Sequence, residues 1–184
     1  MITIKSNRFG AIEVSEDRVI NFKDGVLGFP ELRKFILVDD PNDISLPFKW
    51  LISVDNADLA FLVTDPGIFF KDYVFDLPEE DRQKINATTE DDVSVIVMLT
   101  VPSDPKKITA NLRGPLVINW RTLVGRNIVL KDTQFTTKHY IFIQSDEETK
   151  SEAESSKASV ATGVSMAAAG VNASTQASKA SSNA

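Results

Sequence analysis

The apolar residues between Met1 and Gln144 come in short runs, and clusters of Gly, Pro, Asn or Asp separate most of them. Runs of this length suit strands, and the connections are too brief for crossover helices, so the sheet is predicted to be antiparallel. Strands are expected at Met1–Lys5, Ala11–Val14 and Val19–Phe22, with Asn7–Gly10 as a turn. Gly25-Val26-Leu27-Gly28-Phe29-Pro30 is a tight bend, able to bring backbone close to another segment. Further strands are expected at Phe35–Val38, Phe48–Val54, Ala60–Thr64, Ile108–Leu112, Leu116–Asn119, Ile128–Leu130 and Lys138–Ile143. The most hydrophobic run, Val93–Val101, alternates a fully apolar face with a mixed one, as a central strand does. One stretch, Leu77–Asn86 (LPEEDRQKIN), predicts a helix: Asp76 is placed to cap it, Pro78 suits its first turn, and Glu79, Glu80 and Asp81 suit its positive end. Many short strands with few helices imply a barrel-like or sandwich-like domain, because an open sheet this size would leave its apolar face wet and its edges unpaired. The expected fold is mainly β, one antiparallel domain with one or two short helices, and barrel-like closure is preferred.

Composition sets the boundary of that domain. From Ser145 onward there is no aromatic residue, no Leu and no Ile, and only Val160, Val164, Met166 and Val171 offer apolar bulk. Ordering a backbone costs about 1–2 kcal/mol per residue, which so few small groups cannot offset. The expectation is a β domain over residues 1–144 and a disordered Ser/Ala-rich tail over 145–184. Val160, Val164, Ala167, Ala168 and Val171 fall near helical spacing and could form a helix on a partner, against which Gly163 and Gly170 argue. Five acids and three lysines give the tail a charge of −2, leaving −4 of the chain's −6 on the body.

The same sequence excludes several classes of function. With no cysteine and a single histidine, His139, thiolate chemistry and histidine-rich metal sites are ruled out. Net acidity argues against direct nucleic-acid binding. No run approaches the ~20 apolar residues of a spanning helix, and MITIKSNRFG lacks the apolar core of a signal peptide, so a cytoplasmic protein without membrane contact is expected. Phosphate-binding, dinucleotide and nucleophile-elbow signatures are absent from the sequence. His139 shares parity with Ile141 and Ile143, as a strand histidine at a sheet rim would. Glu90-Asp91-Asp92 and Asp39-Asp40 lack the alternating oxygen spacing of a calcium loop and are expected to be solvated strand ends, not metal ligands. No cofactor is expected. Asp65–Phe75 (DPGIFFKDYVF) gathers Phe69, Phe70, Tyr73 and Phe75; strand parity would set Phe70 apart from the other three, and the cluster is either core or a protein-binding patch.

Several segments resemble the flagellar assembly factor FliW family, in that family's order: Gly25–Phe29 with Gly28, Pro47-Phe48, Phe61–Pro66 with Asp65 and Pro66, Lys71-Asp72-Tyr73, Glu90–Val93, and Thr109–Leu112 followed by Pro115–Asn119. Asn127 stands where the family usually has glutamine. The resemblance covers Met1 to about Gln144 and implies a non-enzymatic protein with two partners. One is newly made flagellin. The other is CsrA, the small RNA-binding regulator that represses translation of flagellin messenger RNA. Secreted flagellin would free the factor to capture CsrA, lifting repression; the alternative is a flagellin export chaperone without a role in translation. A monomer is expected when no partner is bound. CsrA is basic, so the densest acids, Glu79, Glu80, Asp81, Glu90, Asp91 and Asp92, are the expected contact for it. Flagellin termini are amphipathic helices that need apolar anchors, for which Phe29, Phe48, Phe69 and Tyr73 are the candidates. The tail shares its Ala, Ser, Asn and Gln richness with flagellin ends and could compete for the same groove, or could be a passive extension.

Asn111 and Asn119 sit where β propensity disfavours asparagine, on either side of Gly114-Pro115. Asn111, Leu112, Pro115 and Asn119 are read as structural: the Gly-Pro pair re-aims the chain, and the amides satisfy backbone groups left unpaired by the break.

Overall fold

The computed structural model describes residues 1–40, 44–89, 92–131 and 133–142; Glu90, Asp91, the boundary at Gln144 and the expectations for the tail lie outside them. Over the described residues the chain forms β1 (Ile2–Ser6), β2 (Gly10–Val14), β3 (Ile20–Phe22), β4 (Lys34–Asp39), β5 (Phe48–Ser53) and β6 (Ala60–Thr64). After α1 (Glu79–Lys84) come β7 (Val93–Thr100), β8 (Thr109–Ala110), β9 (Leu116–Asn119), β10 (Val124–Asn127) and β11 (His139–Tyr140). Strands β3, β4, β5, β6, β7, β9 and β10 pair in sequence around a ring, and the β7–β9 ladder closes it. This is a barrel, not a sandwich. β8 and β11 continue outward from the C-terminal half of β7, and β1 and β2 form a separate hairpin.

One rung departs from the antiparallel expectation: β3 and β10 are parallel, with Val124 opposite Asn21 and Gly125 opposite Phe22. Short connections force antiparallel pairing only between strands adjacent in sequence, and these two are joined through the whole ring. Inside it, Ile20, Phe22, Phe35, Leu51, Val63, Ile96, Leu116 and Ile118 form the buried core. Burying each such side chain contributes about 1.5–3 kcal/mol. At Gly125 a Cβ would lie 2.7 Å from the Phe22 ring, so the glycine makes room for that phenylalanine.

Two outer faces of the ring are also covered. Ile36, Trp50 and Ile52 pack under the β1–β2 hairpin through Ile4. Val117 and Val124 are covered by Ile85, Ala87, Ile128 and Leu130. The predicted strand at Ile128–Leu130 is displaced to Val124–Asn127, since the Gly125–Phe22 fit outweighs the poor strand propensity of Gly and Asn. The helix is shorter than predicted, and Pro78, not Asp76, occupies its N-cap without a side-chain cap bond. The expected strand alternation through Phe69–Phe75 does not form, because Pro66–Ile68 makes a 3-10 turn there. Among the described residues no helix is long and apolar enough to cross a membrane.

Candidate functional site

Backbone left bare at the ends of β9 is taken up by three asparagines. Asn119 is 1% exposed. Its Nδ2 donates to the carbonyls of Ile85 (3.1 Å) and Asn86 (2.9 Å), and its Oδ1 accepts from the amides of Arg121 (2.9 Å) and Thr122 (3.3 Å). The amide thus ties the end of α1 to the barrel. Asn111 Oδ1 accepts from Gly114 N (3.0 Å), and Asn127 Nδ2 donates to the carbonyls of Gly114 (3.1 Å) and Pro115 (3.0 Å). Asn127 Oδ1 also accepts from Leu27 N (3.0 Å), holding the Val26–Phe29 turn in which Gly28 takes φ +89°. Asparagine at position 127 therefore has its own structural work, which the sequence did not reveal.

The aromatic candidates separate into two places. Phe48 stacks on Phe69 (5.9 Å between centroids, 11°), and Phe69 meets Phe142 edge-on (6.4 Å). Phe48 and Phe69 lie half-buried on Val97, Ile108, Ala110, Leu112 and Ile141. The rim of the group is open: Tyr140 is 51% exposed and Phe142 43%. These two rim residues were missed, although they alternate with His139 and Ile141 in the sequence. Tyr73 packs on Phe135 (4.6 Å) and donates its hydroxyl to Leu112 O (2.7 Å), and burial pushes its phenol well above its ordinary value. Phe29 lies instead against Phe61 (5.7 Å), with no ring contact to Phe48, Phe69 or Tyr73 among the described residues. His139 occupies β11 as a rim strand residue, where its Nε2 accepts from Thr136 N (2.7 Å).

The acidic candidates differ more sharply. Glu79 and Glu80 are exposed on α1, where Glu79 pairs with Gln83 and Arg82 and Glu80 with Lys84. The Lys84 hydrogen bond and charge hold the Glu80 carboxyl below its usual range. Asp81 is turned inward onto Arg126 of β10 (2.6 Å), which also binds Asp24. Asp92 corrects the expectation of a solvated strand end: it is 5% exposed. Burial would raise its carboxyl, but hydrogen bonds from Thr89 and Thr88 and the Arg121 charge outweigh this and hold it low. Among the described residues no group of three or more His, Cys, Asp or Glu could hold a metal ion.

The remaining motif residues shape the loop after β6. Thr64 donates its hydroxyl to Pro47 O (2.7 Å), Asp65 Oδ1 accepts from Gly67 N (2.8 Å), and Asp72 is exposed. The FliW protein family model matches residues 3–141. The flagellar assembly factor FliW of Alkaliphilus metalliredigens is 36% identical over 138 residues, covering 75% of this chain and 85% of that one. That of Geobacter sulfurreducens is 39% identical over 143 residues, covering 78% and 88%. A crystal structure of the flagellar assembly factor FliW aligns with a TM-score of 0.73 at 33% identity, covering 78% of this chain and 99% of that one. The β barrel and the family match agree, and the chain belongs to the FliW family of flagellar assembly factors.

Proposed function

We propose that this chain is a cytoplasmic, non-enzymatic partner switch that binds flagellin and, when flagellin is scarce, binds the translational repressor CsrA and relieves repression of flagellin messenger RNA. The observation that carries this reading is the family match over residues 3–141. Two surfaces support it. The Phe48–Phe69–Phe142 group, with the exposed Tyr140 on β11, offers apolar area suited to an amphipathic helical terminus, and Tyr73 packs on the same buried cluster as Phe48 and Phe69. The exposed carboxylates Glu79 and Glu80, with Glu90 and Asp91 near them in sequence, suit a basic regulator. Asp81 and Asp92 serve these surfaces indirectly, by fixing α1 and the start of β7, and Phe29 packs on Phe61 without ring contact to the Phe48–Phe69–Phe142 group among the described residues.

The switch is a linkage of two binding equilibria. Titration of the purified chain with CsrA and flagellin, separately and together, tests it. The expected outcome is that each binds and that flagellin weakens CsrA binding. Flagellin binding with no CsrA binding at low salt would overturn the regulatory half and leave an export chaperone.

A further inference from the structure

The register of β7 leaves Val95 without a ladder rung on the β6 side, where the Pro66–Ile68 turn lies beside the strand. Trp120 N donates to Asp92 O (3.1 Å) and Ile128 N to Pro115 O (3.0 Å), which fixes the alternation of the neighbouring ladders. Ser94 and Ile96 therefore direct their backbone groups toward β9, and Val93, Val95 and Val97 direct theirs toward β6. On β6, the Ser53 N to Leu59 O bond (3.0 Å) sets the same alternation and turns Thr64 toward β7, where it meets Val97. The next rung would join Val95 to Pro66. Proline has no N–H to give, and its carbonyl is taken by Phe69 N (3.1 Å) and Phe70 N (2.8 Å). Among the described residues, no backbone bond reaches Val95 from this side.

Beside this bare edge lies a cleft of about 470 Å³, within the range of ligand-binding clefts. Val93, Val95 and Val117 form its floor, and the segment Tyr73–Leu77 forms a wall, with Val74 at its mouth 78% exposed. Two carboxylates, Asp65 and Asp76, line it. Among the described residues its lining holds one cation, Arg82, which is paired with Glu79. An apolar slot beside unpaired backbone, with acids at the rim, matches an incoming strand that alternates apolar and basic side chains.

We propose that the β7 edge at Val95 is a docking strand for an extended, basic segment of a partner protein, added by backbone hydrogen bonding with its apolar side chains in the cleft. The proposal rests on the family's being a protein-binding one, not on which partner is bound. The cleft adjoins α1 through Arg82 and adjoins the cluster under Phe48 and Phe69 through Tyr73.

The test uses the full chain and synthetic peptides, without CsrA or flagellin, so that its failure is distinct from failure of the partner switch. A capped peptide alternating valine and lysine is compared with a valine–glutamate peptide and with a valine–lysine peptide N-methylated at the valines. Fluorescence anisotropy at low salt is expected to show binding of the first, with the other two at least about tenfold weaker. Amide exchange at Val95 should be fast in the free chain and slowed about tenfold by the valine–lysine peptide, while Val97 is protected throughout. Asp76→Lys, an exposed change outside the core, should weaken the peptide about tenfold. Failure of the valine–lysine peptide to bind overturns the proposal. So does equal binding of the glutamate peptide, or a Val95 amide already protected in the free chain. Peptide binding that leaves Val95 exchange unchanged overturns it as well.

Discussion

Strands β9 and β6 both meet a proline where they leave the barrel ladder, and the chain treats the two breaks differently. At Pro115 the gap is filled from both sides: Asn111 takes the Gly114 amide, Asn127 gives to the Gly114 and Pro115 carbonyls, and Ile128 N still reaches Pro115 O. At Pro66 only the departing strand is satisfied, through Asp65 Oδ1 on Gly67 N and the turn bonds from Phe69 and Phe70, and the facing strand keeps its bare edge at Val95. A barrel needs closed edges to avoid random pairing, so two side-chain amides spent on one break and none on the other mark the second as a place of different use.

The far end of β9 is closed by a third amide, Asn119, and its loss should be the costliest change. Asn119→Ala leaves Asn86 O, Arg121 N and Thr122 N without their partner, while Ile85 O keeps the Thr122 hydroxyl. A loss of up to roughly 3 kcal/mol is expected, at about 1 kcal/mol per stranded, partly buried group. Urea unfolding followed by the fluorescence of Trp50 and Trp120 measures it; a loss below about 1 kcal/mol would mean that water replaces the amide at this end of β9.

Tyr73 bridges the two regions, with its ring on the wall of the open cleft and its hydroxyl on Leu112 O, next to Asn111. Tyr73→Phe should cost about 1 kcal/mol at neutral pH. Its phenol is raised above the ordinary 10.0 in the folded chain. The unfolded chain therefore ionises first, so Tyr73 contributes its full stability below pH 10.0 and loses it as pH rises beyond that value. The parent should weaken more steeply than Tyr73→Phe in urea titrations taken above pH 10.0. Parallel pH curves for the two would show that the phenol is as solvated folded as unfolded.

Much of the barrel was legible because its strands are short apolar runs; Val93–Thr100 and Ala60–Thr64 stand where the sequence places strands. Asn111 fills the Gly114-Pro115 break as its place in an apolar run suggests, whereas Asn119 serves the end of α1 and the turn after β9 instead of that break. What could not be read depended on partners distant in sequence. Gly125 looks like a strand breaker until Phe22 is laid against it. Asp92 looks like a solvated strand end until Arg121, from the turn after β9, closes over it. The edge at Val95 follows from the phase of three ladders, and no local pattern in VSVIVMLTV encodes it.

The mildest change concerns the helix that the closed seam holds in place. Glu80 is exposed and pairs along α1 with Lys84, with the Arg126 charge a smaller influence, so Glu80→Gln should leave the urea midpoint nearly where it is. Asn119 fixes the C-terminal end of that helix through Ile85 and Asn86, so α1 should present the same surface in the variant with one charge fewer. If α1 faces a basic partner, the variant should associate with CsrA a few-fold more slowly at low salt, with little change in dissociation, and the difference should fade by ~0.5 M salt, where the Debye length falls below about 5 Å. Stopped-flow association at several salt concentrations separates the cases. An unchanged rate would assign α1 to the architecture of the closed seam and leave the basic partner to the acids around the open edge, whereas a slower one would give each break its own contact surface.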